Sequence, residues 1–338
     1  MSVITSPQSQ PVACIIGAGP GGLSAARALK LRGIAYDHFE RHHDVGGIWD
    51  ITNPGTPMYQ SAHFISSRSL SGFADFPMPE HYPDYPNHEQ IKAYVKSFAK
   101  AFGLYDSIQF DTGVHKIQKL ESERWKVTLY NGKSRVYDAI ICATGCNWHP
   151  NMPDIQGQFN GEIRHAVTYQ SGDEFKHKRV MVVGAGNSGV DIACDAATHA
   201  DKAFISMRRG YYFIPKYIFG VPADEFAEKG PHLPLAIQQR VFKLILKLSL
   251  GNLSRFGLPK PDHQLFESHP LMNTQLLHHL QHGDIAVRPD VSHYDGNDVV
   301  FVDGSREQLD IVLYATGYQW KLPYADAYFN WQNGRPQM

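Results

Sequence analysis

The sequence carries one glycine spacing twice, and the second copy starts 167 residues after the first. In "VACIIGAGPGGLSAARALKLRGIAYDHFER", an apolar run from Val12 to Ile16 leads into Gly17, Gly19, Gly21 and Gly22, three of them spaced as GxGxxG. Leu23, Ala26 and Leu29 to Leu31 then give a helix its apolar face, and Gly33 ends it. In "KRVMVVGAGNSGVDIACDAATHADKAFISMRRG", the strand is Val180 to Val183. Gly184, Gly186 and Gly189 repeat the spacing around Asn187 and Ser188, and Val190 to Ala197 starts the helix. In such a unit one glycine permits the tight turn, the next lets backbone approach a pyrophosphate, and the third brings helix onto strand. The helix N-terminus then supplies N–H groups to the phosphates. A chain built twice on this plan is confined to an α/β fold with buried parallel strands.

The two units end their second strands differently. "IAYDHFE" finishes on Glu40, about 20 residues after the glycines, where a carboxylate accepts a ribose hydroxyl. "AFISM" runs instead into Arg208 and Arg209, which suit a 2′-phosphate but would also serve as a solvated strand end. A further repeat supports two units: "AIICATG" closes on Thr144 and Gly145, and "DIVLYATG" on Thr316 and Gly317. Each is an apolar strand entering a small-residue turn on which a ligand can lie. Two nucleotide units on one chain imply electron transfer between two cofactors, FAD at the Glu40 unit and NADPH at the arginine unit.

Composition removes other classes. Lys and Arg total 32 against 33 Asp and Glu, for a net charge of −1 with no long run of one sign, so a nucleic-acid partner is not expected. The start "MSVITSPQSQP" lacks a basic and apolar leader, and no stretch approaches 18 uninterrupted apolar residues. Cys14, Cys142, Cys146 and Cys194 form neither a CxxC pair nor a dense framework, and read as buried small hydrophobes in a reducing, cytoplasmic setting.

Between Arg209 and Ala286 lies more chain than a minimal nucleotide unit needs. "LPLAIQQRVFKLILKLSLG" sets Ile237, Val241, Leu244, Ile245 and Leu248 on one helical face, away from Arg240, Lys243 and Lys247. The reading preferred is a helix covering a core or channel; the lesser one is association with a membrane surface. His278 and His282 stand at i, i+4 without a third ligand and are read as packed or solvated, so no metal is expected. "DFPMPEHYPDYPNHEQIKAYVKSFAKAFGL" is a proline-rich loop that becomes a helix near His88.

These motifs resemble the flavin-containing monooxygenases, within the class B flavoprotein monooxygenases. "FNGEIRHAVTY" matches that family's FxGxxxHxxxY/F motif through Phe159, Gly161, His165 and Tyr169. "FERHHDVGGIW" looks like the segment after the FAD ribose acid and adds Arg41, Gly47 and Trp49 as flavin-side residues. "YATGYQWKLP" is similar to the family's FATGY element, and the likeness runs from about residue 12 to about 325. It implies two Rossmann-like dinucleotide-binding domains, the second inserted in the first, with a helical insertion. Residues 1–168 would bind FAD. Residues 169–318 would bind NADPH and carry the insertion at about 211–285, and 319–338 would begin a truncated return to the FAD domain.

The activity implied is NADPH-dependent oxygenation of a soft nitrogen or sulfur nucleophile through a C4a-peroxyflavin, with a small-molecule substrate and O2 as partners and no protein nucleophile. His165 is read as coupling the two domains rather than as a base. Two departures stand out. The family's flavin-side asparagine is replaced in "ISSRSLSGFADFP" by Ile65, which cannot hydrogen-bond and leaves its task to Ser66 or another donor. The chain also stops soon after "YATGY", where family members continue.

A Baeyer–Villiger monooxygenase is the nearest rival, although those enzymes resemble one another in a tryptophan at the Tyr169 position and an Arg-x-Asp segment missing here. A disulfide reductase would need a cysteine pair near the first helix. An NADPH oxidase or nucleotide sensor without oxygenation is the alternative of a different class.

Overall fold

The computed structural model describes residues 12–230, 234–332 and 335–337; the expectation of no leader in residues 1–11 lies outside these. The first glycine unit forms as its pattern predicts: β1 (Ala13–Ile16), α1 (Pro20–Leu31) and β2 (Tyr36–Phe39). Next come α2 (His88–Ala101), β3 (Ile108–Gln109), an antiparallel sheet of β4 (Val114–Lys119), β5 (Trp125–Leu129) and β6 (Ser134–Tyr137), and β7 (Ala139–Cys142). The four parallel strands align in the order β3-β2-β1-β7. Ile15 packs under α1 and α2, whereas Cys14 and Ile16 face Val127 and Tyr137 on the antiparallel sheet. Covering both faces is why β1 reads as an unbroken apolar run.

The second half repeats the layering. β8 (His149–Pro150), β9 (Gln156–Phe159) and β10 (Glu162–His165) precede β11 (Arg179–Val183), α3 (Asn187–His199) and β12 (Lys202–Ser206). The insertion holds the hairpin β13 (Tyr217–Ile218) and β14 (Val221–Pro222), then α4 (Ala223–Lys229), α5 (Leu235–Leu250) and α6 (Gln275–His282). The chain then returns through β15 (Ile285–Arg288), β16 (Val291–Gly296), β17 (Asp298–Phe301), β18 (Arg306–Gln308), β19 (Ile311–Tyr314) and β20 (Tyr318–Gln319). The second parallel sheet runs β10-β19-β11-β12-β15, packed by α3 and α6 on one face and by β16 and β17 on the other. β12 and β15 are hydrogen-bonded neighbours, so the insertion leaves and re-enters at adjacent strands.

The second sheet includes β10, because Glu162–His165 pair with β19. Two expectations are corrected. The helix at 235–250 forms, but Ile237, Val241, Leu244 and Leu248 are exposed; Leu246, Phe242 and Ile245 make the packed side instead, against Ile214, Ile218 and Leu265. Two cysteines are not buried: Cys142 is exposed at the end of β7, and Cys146 is half-buried in the following turn. Residues 322–329 lie on the first half, with Leu322, Tyr324, Ala325 and Phe329 joining the core beside β4–β6.

One buried charge cluster fixes the loop after Glu40. Asp50 is fully buried and accepts the Lys92 ammonium of α2 at 2.7 Å, the Thr52 hydroxyl at 2.7 Å, and lies 3.3 Å from His42 Nε2. Burial pushes its pKa up, but the Lys92 and Thr52 hydrogen bonds outweigh this and hold it below the ordinary carboxylate range. A carboxyl whose folded pKa is depressed adds stability above its unfolded value near 4, and that stability is lost as pH falls through the folded pKa. Lys92→Met should cost about 3 kcal/mol or more at pH 7, by leaving Asp50 buried without its cation. Urea unfolding at pH 7 and pH 3 should show a smaller loss on acidification for the variant than for the parent; equal losses would remove Lys92 from the account.

Candidate functional site

The carboxyl ends of β1, β2 and β7 open into a cleft of about 640 Å³, where open α/β sheets place their ligands. Gly17, Gly19, Gly21, Glu40, Arg41, Gly47, Trp49, Thr144 and Gly145 all line it, so the residues expected on the flavin side come together. Gly22 lies beneath them: a Cβ there would stand 1.8 Å from the Gly17 carbonyl oxygen. Gly17, at φ +103°, faces the Ala143 carbonyl oxygen at 2.6 Å from its own would-be Cβ. Both glycines are therefore required by the fold itself. Gly19 and Gly21 differ, because a methyl at Gly19 would meet nothing nearer than 3.5 Å and one at Gly21 nothing within 4 Å. They leave room that protein atoms do not use, which fits a pyrophosphate against the amino end of α1.

Glu40 is buried and held by two backbone donors: Ala18 N–H reaches Oε2 at 2.5 Å and His42 N–H reaches Oε1 at 2.8 Å. Each carboxylate oxygen keeps acceptor capacity for a ribose hydroxyl. At the cleft wall the Arg41 guanidinium lies 4.0 Å over the Trp148 ring, and Trp148 Nε1 donates to Thr144 O at 2.6 Å. The Thr144 and Tyr324 hydroxyls lie 3.1 Å apart across the same wall. Burial lowers the His149 pKa, as do Lys321 and Arg41, two cations that suit an anionic ligand. Trp148, Lys321 and Tyr324 escaped the sequence reading. Trp148 and Lys321 nevertheless sit within a few residues of the two ATG turns, which was the available signal.

The second loop repeats the first. Gly184, at φ +105°, faces the Ala315 carbonyl oxygen 2.6 Å from its would-be Cβ, and a Cβ at Gly189 would stand 2.1 Å from Gly184 O. Gly186 has nothing within 4 Å. Asn187 and Ser188 open α3, and Asn187 Oδ1 accepts Met272 N–H at 3.3 Å. The two arginines part company. Arg209 donates to Ser268 Oγ at 3.1 Å and lies over the Tyr211 ring, whereas Arg208 is exposed and makes no hydrogen bond or ion pair among the described residues. The Thr316 hydroxyl donates to Asn151 O at 2.5 Å, which commits it to the turn.

The FxGxxxHxxxY stretch lies away from the cleft and works as a brace. A Cβ on Gly161 would strike Asp310 O at 2.5 Å and the Phe159 ring at 2.6 Å, and Phe159 packs on Tyr294. His165 Nδ1 accepts Val167 N–H at 3.1 Å, so its Nε2 carries the proton given to Gly317 O at 3.0 Å. Burial lowers its pKa, and with both nitrogens occupied it is no base. The Tyr169 hydroxyl donates to Asp195 of α3 at 2.7 Å. Ser66 is not brought to the cleft; its hydroxyl pairs with that of Ser71 at 2.7 Å, and Ile65 beside it is exposed.

The family model described as flavin-binding monooxygenase-like matches residues 10–333. Flavin-containing monooxygenase 1 of Oryctolagus cuniculus is 34% identical over 92% of this chain and 63% of its own length. A dimethylaniline monooxygenase [N-oxide-forming] 2 of Macaca mulatta is 32% identical over 92% and 62%. The chain thus spans under two thirds of the length of the curated relatives it matches. Among solved structures, a flavin monooxygenase variant from Stenotrophomonas maltophilia superposes with a TM-score of 0.75 at 21% identity, covering 98% of this chain and 85% of that one. An OTEMO complex with FAD and NADP gives 0.72 at 20%, covering 95% and 74%; both likenesses concern the fold alone. The duplicated glycine units, the brace and the span of this match have one common explanation: the chain belongs to the flavin-binding monooxygenase-like family.

Proposed function

We propose that the chain holds FAD in the Glu40 cleft and NADPH at the second glycine loop, as two Rossmann-like dinucleotide-binding domains, the second inserted in the first. On this reading it transfers one oxygen atom from O2 to a soft nitrogen or sulfur nucleophile. The observation that carries it is the pair of loops in which Gly17 and Gly22, like Gly184 and Gly189, are demanded by packing while Gly21 and Gly186 face open space and Gly19 would meet nothing nearer than 3.5 Å. Overall, the nucleophile, O2, NADPH and a proton would give the oxygenated nucleophile, NADP+ and water.

FAD, when bound, supplies hydride acceptance and activation of O2; the chain supplies binding, orientation and exclusion of water. Glu40 would hold a ribose of FAD and Arg41 and Lys321 its charged middle. Trp49, stacked on Phe64 at 4.8 Å, would wall the cleft. Arg208 would meet the 2′-phosphate of NADPH. The four unpaired thiols support a reducing, cytoplasmic setting for the same reading. Turnover to hydrogen peroxide without oxygenation is the second reading, favoured by Ile65 and by the engaged Ser66 hydroxyl.

Gly19→Ala should remove most bound flavin while leaving the thermal midpoint of the flavin-free chain unchanged. Gly22→Ala should lower that midpoint, since its methyl costs about 1–3 kcal/mol of overpacking. Flavin retained in full by Gly19→Ala counts against the cleft assignment. Arg208→Ala should raise KM about tenfold for NADPH and leave NADH nearly unaffected, the loss of one charge-assisted hydrogen bond; equal changes for both would exclude the phosphate role. With amines and sulfides as probes, oxygenated product should form in step with NADPH oxidation. Peroxide in place of product would establish the oxidase reading.

A further inference from the structure

The helix that opens at the second glycine loop is gripped by residues from outside the β11–α3–β12 unit. Asp191, one turn into α3, accepts the Tyr59 hydroxyl at 3.0 Å on one oxygen and Asn273 Nδ2 at 2.6 Å on the other. One turn further, Asp195 accepts the Ser61 hydroxyl at 2.5 Å and the Tyr169 hydroxyl at 2.7 Å. Tyr59 and Asn273 are buried, and Tyr59 leans on the Tyr169 ring with centroids 5.7 Å apart.

The donors come from opposite directions. Asn273 belongs to the insertion, where its Oδ1 also accepts Leu276 N–H at the start of α6. Tyr59 and Ser61 belong to the segment that leaves the flavin-side cleft. That segment is tied at its other end: Asn53 donates to Gly47 O at 3.1 Å and the Thr56 hydroxyl to Ile48 O at 2.5 Å, both carbonyls in the cleft wall. Five residues of chain separate Asn53 from Tyr59. A short, bonded strut therefore runs from the wall of the first cleft to the opening turns of α3.

The junction suits a carboxylate. A tyrosine hydroxyl directed at it and an amide NH2 both donate, so the residue between them must accept on both oxygens. Burial raises the pKa of Asp191 and the neighbouring Asp195 adds to that, while Lys216 draws it down. Burial beside Asp191 holds the Tyr59 phenol protonated and donating.

We propose that Asp191 is a positioning residue that locks the opening turns of α3 to the flavin-side strut through Tyr59 and to the insertion through Asn273, and so sets where a nucleotide on the second loop meets the first cleft. This rests on the two-nucleotide reading above. It assigns Asp191 no contact with substrate or cofactor.

The test uses the full chain with FAD bound, as Tyr59→Phe and, against the same carboxylate from the other side, Asn273→Ala. Two quantities are read: the change in the visible flavin spectrum on adding NADP+, without turnover, and the anaerobic rate of flavin reduction against NADPH concentration. Both variants should keep their flavin and reach half-saturation within about twofold of the parent. The limiting reduction rate should fall about tenfold, as expected for a misplaced rather than a missing partner, and the NADP+-induced change should shrink. Parental rate and spectrum in whichever variants fold overturn the proposal. So does a weakened half-saturation with an unchanged limiting rate, which would make the cluster a binding element only. A parent protein whose flavin responds to neither nucleotide overturns the two-nucleotide reading, and the role of Asp191 falls with it.

Discussion

Everything in the molecule rests on a backbone contact made twice. The first glycine of each loop lies against the carbonyl that ends a neighbouring strand, Gly17 against Ala143 and Gly184 against Ala315, each with 2.6 Å between that oxygen and the missing Cβ. No side chain fits in this space, so each loop is pressed into the ATG turn beside it. The contact brings together segments more than 100 residues apart, β1 with β7 and β11 with β19. It decides where the helix N-termini point, and hence where two anionic ligands can rest.

Around these fixed points the rest is arrangement of partners. Asp50 draws the Gly47–Trp49 turn onto α2, so the far wall of the first cleft is held by a buried ion pair rather than by the sheet. His165 and Tyr169 fasten the end of β10 to the Gly317 turn and to α3. The same helix then receives Tyr59 and Asn273. α3 is consequently the element on which both halves and the insertion converge.

Much of this was legible in the chain because it is local. The run before Gly17, the helix after it, Glu40 at the end of β2 and the second copy of the whole pattern follow from periodicity and glycine spacing. What escaped depends on distant partners. Nothing near Trp148 announces that it will carry Arg41, and nothing near Tyr59 announces Asp191, 132 positions away. The error on α5 is of another kind. An apolar stripe shows that a helix is two-sided, but which side meets protein is settled by neighbours, and here Leu246 and Phe242 took the inner side from Val241 and Leu244. Arg208 and Arg209 looked equivalent in sequence until Ser268 and Tyr211 claimed one of them.

The insertion departs after β12 and returns at β15, and these strands are direct hydrogen-bonded neighbours. Because the pair is parallel, the chain leaves at the carboxyl end of β12 and re-enters at the amino end of β15, so the insertion has to cross the sheet from one end to the other. Lengthening the loops before α6 costs the sheet little, since loop-closure entropy grows only with the logarithm of length, whereas α6 itself is fixed by Leu276, Leu277 and Leu280 in the core of the sheet. Evolution can therefore vary the outer loops of this module more freely than Met272 and α6, which meet the second glycine loop and the sheet. Such change is not neutral for α3, because Asn273 travels with the module and its partner does not: a lineage that remodels the insertion also retunes the grip on that helix.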